Sequence, residues 1–148
     1  MTSADRKAAI LQACKDNFDS NQDFCNYFVQ AVFLTLTKIV LTGTADELVD
    51  YFSATPSGWF QVTREEGILK TDDGWLVLAG LKSKDHHDGR SHGHLAVVVP
   101  GTLYHGKYPR VWCGGGPMGQ SQGDKTVGEV WNTKDRDKVK YFYYSLYQ

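Results

Sequence analysis

The feature that most constrains this chain is a change of hydrophobic period near its middle. Up to about residue 52 the apolar residues recur at helical spacing, and from residue 75 they gather in short unbroken runs. WLVLAGLK at 75–82 and HLAVVVPG at 94–101 are short, rich in β-formers and bounded by loops, which predicts buried strands. The polar SKDHHDGRSHG between them makes the pair a long-looped hairpin. RVWCG at 110–114 is a third strand candidate, and the aromatic KVKYFYYSLY reads as a closing strand engaged in core and sheet packing. GGGPMGQSQGDK at 114–125 is too rich in glycine for regular structure, and it lacks the GK[ST] ending of a phosphate loop.

Upstream, residues 5–18 predict a helix with Ile10, Leu11, Cys14 and Phe18 on one face. A second helix carries Phe24, Phe28, Val29, Val32, Phe33 and Leu36. TADE at 44–47 is a capping box, with Thr44 as N-cap and Glu47 reaching back, and it starts a third helix that TPSGW at 55–59 ends. Helices first and strands after predict an α+β fold, with the helices packed on a mostly antiparallel sheet. At 148 residues the chain suits one domain, 1–148, with a hydrophobic core that needs no staples.

Bulk properties exclude several function classes. A formal net charge of −1 gives no electrostatic case for nucleic acid or an anionic membrane. No apolar run approaches the roughly 18 residues of a membrane span, and MTSADRKAAILQAC shows no secretory signal. Cys14, Cys25 and Cys113 are too few for a disulfide framework, and none sits at zinc spacing, as expected of a protein made in a reducing cytoplasm.

Cys25 opens the second helix, where free backbone N–H groups and the helix dipole favour a thiolate and can stabilise an oxyanion. Asn21 or Asp23 could cap that helix. Cys25 also shares a face with Phe28, Val29 and Val32, so periodicity equally allows a core thiol. A base for such a nucleophile is His94, at the head of the most apolar strand and preceded by Gly93, which permits close backbone approach. His86, His87, His92 and His94, with Asp85 and Asp88, match no familiar metal signature; that segment reads as a solvated polar loop with no metal and no cofactor. Cys113 is either a strand core residue or the group that orients His94. Gln120, Ser121 and Gln122 offer polar contacts to a peptide-like ligand on one wall of a groove.

GWLVLAGLK, GHLAVVV, LYHGKYPRVWCG, GQSQGDKTVGEVWN and DRDKVKYFYYSL, in this order, resemble the type VI secretion amidase effectors of the first family. ACKDNFD and NQDFCNYFVQAV are similar to that family's first helix and nucleophile helix. The resemblance implies an NlpC-like papain fold that hydrolyses the peptidoglycan stem peptide between D-glutamate and meso-diaminopimelate. It places the nucleophile on Cys25, the histidine on His94 and a third group on Cys113, with Gly119, Gln120 and Ser121 as substrate contacts. It implies injection into rival bacteria with action in their periplasm, a secretion-machine carrier, a cognate periplasmic immunity protein and a monomeric enzyme without cofactor. A non-catalytic peptidoglycan- or protein-binding module on the same scaffold is the alternative. Two stretches depart from the family pattern: DSNQDF is shorter, and SKDHHDGRSH is longer and richer in histidine.

Overall fold

A computed structural model describes residues 1–147, Met118 by its backbone alone. Helix α1 (Ser3–Asn21) starts at Thr2, whose hydroxyl accepts from the Asp5 N–H while the Asp5 carboxylate accepts from the Thr2 N–H. Helix α2 (Cys25–Thr37) packs Phe28, Val29, Val32 and Phe33 inward, and α3 (Ala45–Ser53) begins on the predicted Thr44–Glu47 box. Then come β1 (Trp59–Val62), α4 (Arg64–Asp72), β2 (Leu76–Leu81), β3 (His94–Tyr104) and β4 (Tyr108–Cys113). One turn of helix, α5 (Gly116–Gly119), leads to β5 (Ser121–Thr126), the short α6 (Val127–Val130) and β6 (Lys140–Tyr144).

The six strands form one sheet in the order β1-β6-β2-β3-β4-β5, and every ladder is antiparallel. Strand side chains alternate between two buried layers. Leu76, Leu78, Leu95, Val97 and Phe142 join the face covered by α1, α2 and α3. Val77, Ala79, Ala96, Val98 and Tyr141 join the opposite face, with Tyr108, Val127 and Trp131. Burial on both faces is why β2 and the first half of β3 read as continuous apolar runs rather than alternating ones.

Two expectations need correction. Segment 114–125 is not irregular throughout, because Ser121–Thr126 pairs with β4, Cys113 facing Ser121 and Arg110 facing Thr126. The order is not strictly helices then strands, since β1 and α4 intervene. Helix α4 buries only Gly67 and Thr71, so it has no apolar stripe to reveal it, although Thr63 and Glu66 form a box like that of α3. The C-terminal strand forms as expected and packs into the core: β6 lies between β1 and β2, and Tyr141, Phe142 and Tyr144 are buried there.

Candidate active site

The start of α2 is fixed from outside the helix. Among α1 to α4 it alone lacks a side-chain cap: Phe24 occupies the N-cap, with φ −133° and ψ 117°. Neither expected cap serves. Asn21 belongs to the last turn of α1, which runs three residues beyond the predicted end, and its amide donates to the Asn17 carbonyl at 2.9 Å. Asp23 lies instead on the wall of a cleft. The turn between α1 and α2 is held by the glycine turn after β4. The Gln22 carbonyl accepts from the Gly115 N–H at 2.8 Å and the Gly116 N–H at 3.0 Å.

This leaves the Cys25 sulfur against the chain that carries His94. Its Sγ–H faces the Gly93 carbonyl at 3.7 Å, and the N–H groups of Leu95, Asn26 and Cys25 itself are directed at the sulfur. Cys25 is 8% exposed. Burial raises its pKa, those three N–H groups pull the other way, and the Asp46 carboxylate adds to the rise. Gly93 must be glycine, because a Cβ there would run into the Asp46 carboxylate and stand 3.0 Å from the Leu81 carbonyl. Asp46 needs that place to accept from the Ser83 N–H at 2.8 Å and the Ser83 hydroxyl at 2.5 Å, which ties α3 to the end of β2.

His94 opens β3 opposite Leu81. Trp131 stands edge-on to its ring, with centroids 5.0 Å apart. Its Nε2 is shut off from solvent with no hydrogen-bond partner among the described residues. Burial, reinforced by His86 and Arg90, lowers the imidazole to about 4, while the Gly119 carbonyl beside it pulls upward. Near pH 7 the ring is therefore neutral and can accept a proton. Cys25 and His94 line one cleft of about 1,010 Å³, together with Asp46, Arg90, Gly119 and Trp131.

The other predicted residues are placed differently. The Cys113 thiol is buried and donates to the Gly119 carbonyl at 3.1 Å, so it acts on the group beside the imidazole, not on the ring. Burial, with Cys25 nearby, drives its pKa far up, and it stays a thiol. Gly119 lines the cleft. Ser121 is 2% exposed, and its hydroxyl is spent inside the β4–β5 pair, donating to the Val111 carbonyl at 2.8 Å and accepting from the Lys125 N–H at 3.1 Å. Gln120 is partly buried at the end of α5 and is not among the residues that form the cleft wall.

The histidine-rich loop is exposed from 87 to 92, as expected of a solvated loop, and is pinned at two points. His86 is 3% exposed, with Nδ1 held on the Lys82 carbonyl at 2.9 Å. The fully buried Asp135 accepts from the His87 N–H at 2.7 Å and from its Nδ1 at 2.8 Å. Burial raises the Asp135 carboxyl, but these bonds outweigh it and hold it at about 2. Among the described residues, His87, Asp88 and Asp135 bring ligand atoms within 4.8 Å of one another. The Asp135 oxygens are already committed to His87 and Lys138, so the cluster works as a clamp on the loop. No spacing rule links residue 87 to 135 or ring 94 to 131, and sequence reasoning missed both.

No family model matches the chain. It is 42% identical over 147 residues to the peptidoglycan amidase Tse1 of Pseudomonas aeruginosa (strain PAO1), a match covering 93% of this chain and 90% of that protein.

Proposed function

The chain belongs to the type VI secretion amidase effectors, NlpC-like cysteine hydrolases, and on that premise we propose that it hydrolyses the γ-D-glutamyl–meso-diaminopimelate bond of the peptidoglycan stem peptide. It is an enzyme of the cysteine amidase class. The observation that carries the specific reading is the Cys25 sulfur, on the first residue of α2, lying against the backbone of residues 93–95 that carries His94.

In this reading His94 takes the thiol proton of Cys25 as the sulfur attacks the γ-glutamyl carbonyl. The C–N bond is still intact at that point, and the negative charge collects on the former carbonyl oxygen. Helix N-terminal N–H groups stabilise that oxyanion, an interaction absent from the ground state. The imidazolium then protonates the departing diaminopimelate amine as the C–N bond breaks, leaving a thioester on Cys25. Water, deprotonated by His94, attacks the thioester, and the glutamate carboxylate departs with the thiol restored. Because burial favours the neutral forms of both groups, proton transfer accompanies attack instead of preceding it.

Cys113 is a positioning residue that fixes the Gly119 carbonyl beside the imidazole. Gly119 offers substrate contact from the cleft wall, with Gln120 behind it. The enzyme works as a single-domain monomer without metal or cofactor. Among the described residues no helix is long and apolar enough to cross a membrane. Delivery by a type VI secretion carrier puts its action in the periplasm of the target cell, and a cognate periplasmic immunity protein covers the cleft in the producer. The test is to incubate purified sacculi with the protein and with Cys25→Ala, and to analyse released muropeptides by mass spectrometry. Fragments ending at glutamate, from the unaltered protein alone, are expected. Their absence, or equal release by Cys25→Ala, overturns the reading.

A further inference from the structure

Three of the four long helices begin on threonine in a reciprocal box, Thr2 with Asp5, Thr44 with Glu47 and Thr63 with Glu66. Helix α2 begins on Phe24, which caps nothing. A Ser, Thr, Asn or Asp there would stabilise the helix by about 1 kcal/mol. Leaving the first turn uncapped keeps its N–H groups free for the sulfur, but alanine or glycine would do that without exposing an aromatic ring.

Phe24 is 59% exposed and Tyr27, one turn on, is 53% exposed. Their centroids are 5.4 Å apart at 67°. Both belong to the wall of the cleft that holds Cys25. Two large aromatics are thus held in water within one turn of the nucleophile, where burial elsewhere in the chain gives no reason for them.

What they can bind follows from the substrate class, so the inference rests on the reading above. The stem peptide offers methyl groups, carboxylates and an ammonium, none of which presents a flat C–H face. The one ring-sized C–H face attached to it is the amino sugar, joined to the peptide through a lactyl ether. From a γ-glutamyl carbonyl at Cys25, the glutamate chain, one alanine and the lactyl group together span about 12 Å. Rings on residues 24 and 27 lie within that reach of residue 25.

We propose that Phe24 and Tyr27 form a stacking platform for the pyranose ring that carries the stem peptide, so that the enzyme recognises glycan and peptide together.

The test compares two purified substrates, the disaccharide-tetrapeptide and the same tetrapeptide freed of sugar. The unaltered protein is expected to prefer the glycosylated form in kcat/KM. Phe24→Ala and Tyr27→Ala are each expected to lower that preference about five- to tenfold, the size of one aromatic stacking contact. Phe24→Tyr is expected to keep it. Calorimetry of Cys25→Ala with both substrates reads the same preference as binding, apart from turnover. Equal affinity for the two forms overturns the platform while leaving the amidase reading intact. So does an equal loss on both substrates in the alanine variants, which would assign the rings to the peptide. Sugar preference in binding without any cleavage by the unaltered protein supports the platform and overturns the amidase reading.

Discussion

Replacing Gly115 by alanine asks whether the glycine turn after β4 holds His94 in place. Gly115 has φ 137° and ψ 16°, backbone that favours glycine, so an L-residue there costs about 1–3 kcal/mol. The new Cβ would stand 2.8 Å from Cε1 of His94, inside the roughly 3.5 Å at which carbon atoms rest against each other. Either the turn or the ring must give by several tenths of an ångström, and Trp131 against the ring restricts its retreat. Gly116 is the control: it also has positive φ, 77°, yet among the described residues nothing lies within 4 Å of its Cβ position. Gly116→Ala therefore carries backbone strain alone, and Gly115→Ala carries strain and collision together. Urea unfolding followed by circular dichroism should show both variants weakened by about 1–3 kcal/mol. Muropeptide release should separate them, with kcat falling about a hundredfold in Gly115→Ala, since a misplacement near 1 Å costs about that much. A Gly115→Ala enzyme turning over as fast as Gly116→Ala would refute the idea that this turn sets the imidazole.

Three other outcomes follow from the same geometry. Because burial raises Cys25 and keeps His94 neutral, iodoacetamide should alkylate Cys25 slowly at pH 6 and about tenfold faster per pH unit above 7; fast, pH-independent alkylation from pH 5 would show a preformed ion pair. His94 takes up its proton near pH 4 when folded and near 6.5 when unfolded, so acid should destabilise the protein across that window by on the order of 3 kcal/mol. His94→Gln should lack that part of the slope in urea titrations, and an unchanged slope would place the proton uptake elsewhere. Asp135→Ala strips both bonds from His87, and a loss of about 2 kcal/mol with faster proteolysis within 86–92 is expected; an unchanged cleavage pattern would mean the loop is held by other means.

Most of the sheet was legible because its strands are buried on both faces, and such strands announce themselves as unbroken apolar runs. Helix α3 was legible because its box is followed by an apolar face, whereas the same box at Thr63 precedes a helix that buries only Gly67 and Thr71. Strand β5 stayed hidden because its exposed positions are Gln122 and Asp124, and its Ser121 hydroxyl is satisfied by the Val111 carbonyl of β4, which only the fold brings near. The cleft divides in the same way. A cysteine at a helix start and a histidine at a strand start are local features, visible in a string of letters. That Cys113 serves a carbonyl, that Ser121 faces inward and that Asp135 clamps His87 are contacts between distant segments.

The two candidate reacting groups depend on one short segment for their alignment. Gly115 and Gly116 donate to the Gln22 carbonyl and so place the turn that ends in Cys25, while a Cβ on Gly115 would stand 2.8 Å from Cε1 of the His94 ring. Cys113, the last residue of β4, fixes the far end of the same turn by bonding Gly119. An uncapped helix start frays unless something else holds it, and here the restraint comes from backbone N–H groups outside the helix. That arrangement leaves the first-turn N–H groups of α2 to the sulfur and, in the proposed reaction, to the oxyanion, which a capping side chain would occupy. The cap missing at Phe24 and the glycines after Cys113 are therefore two sides of one solution, and a Thr or Asp at position 24 should stabilise the fold while slowing the enzyme.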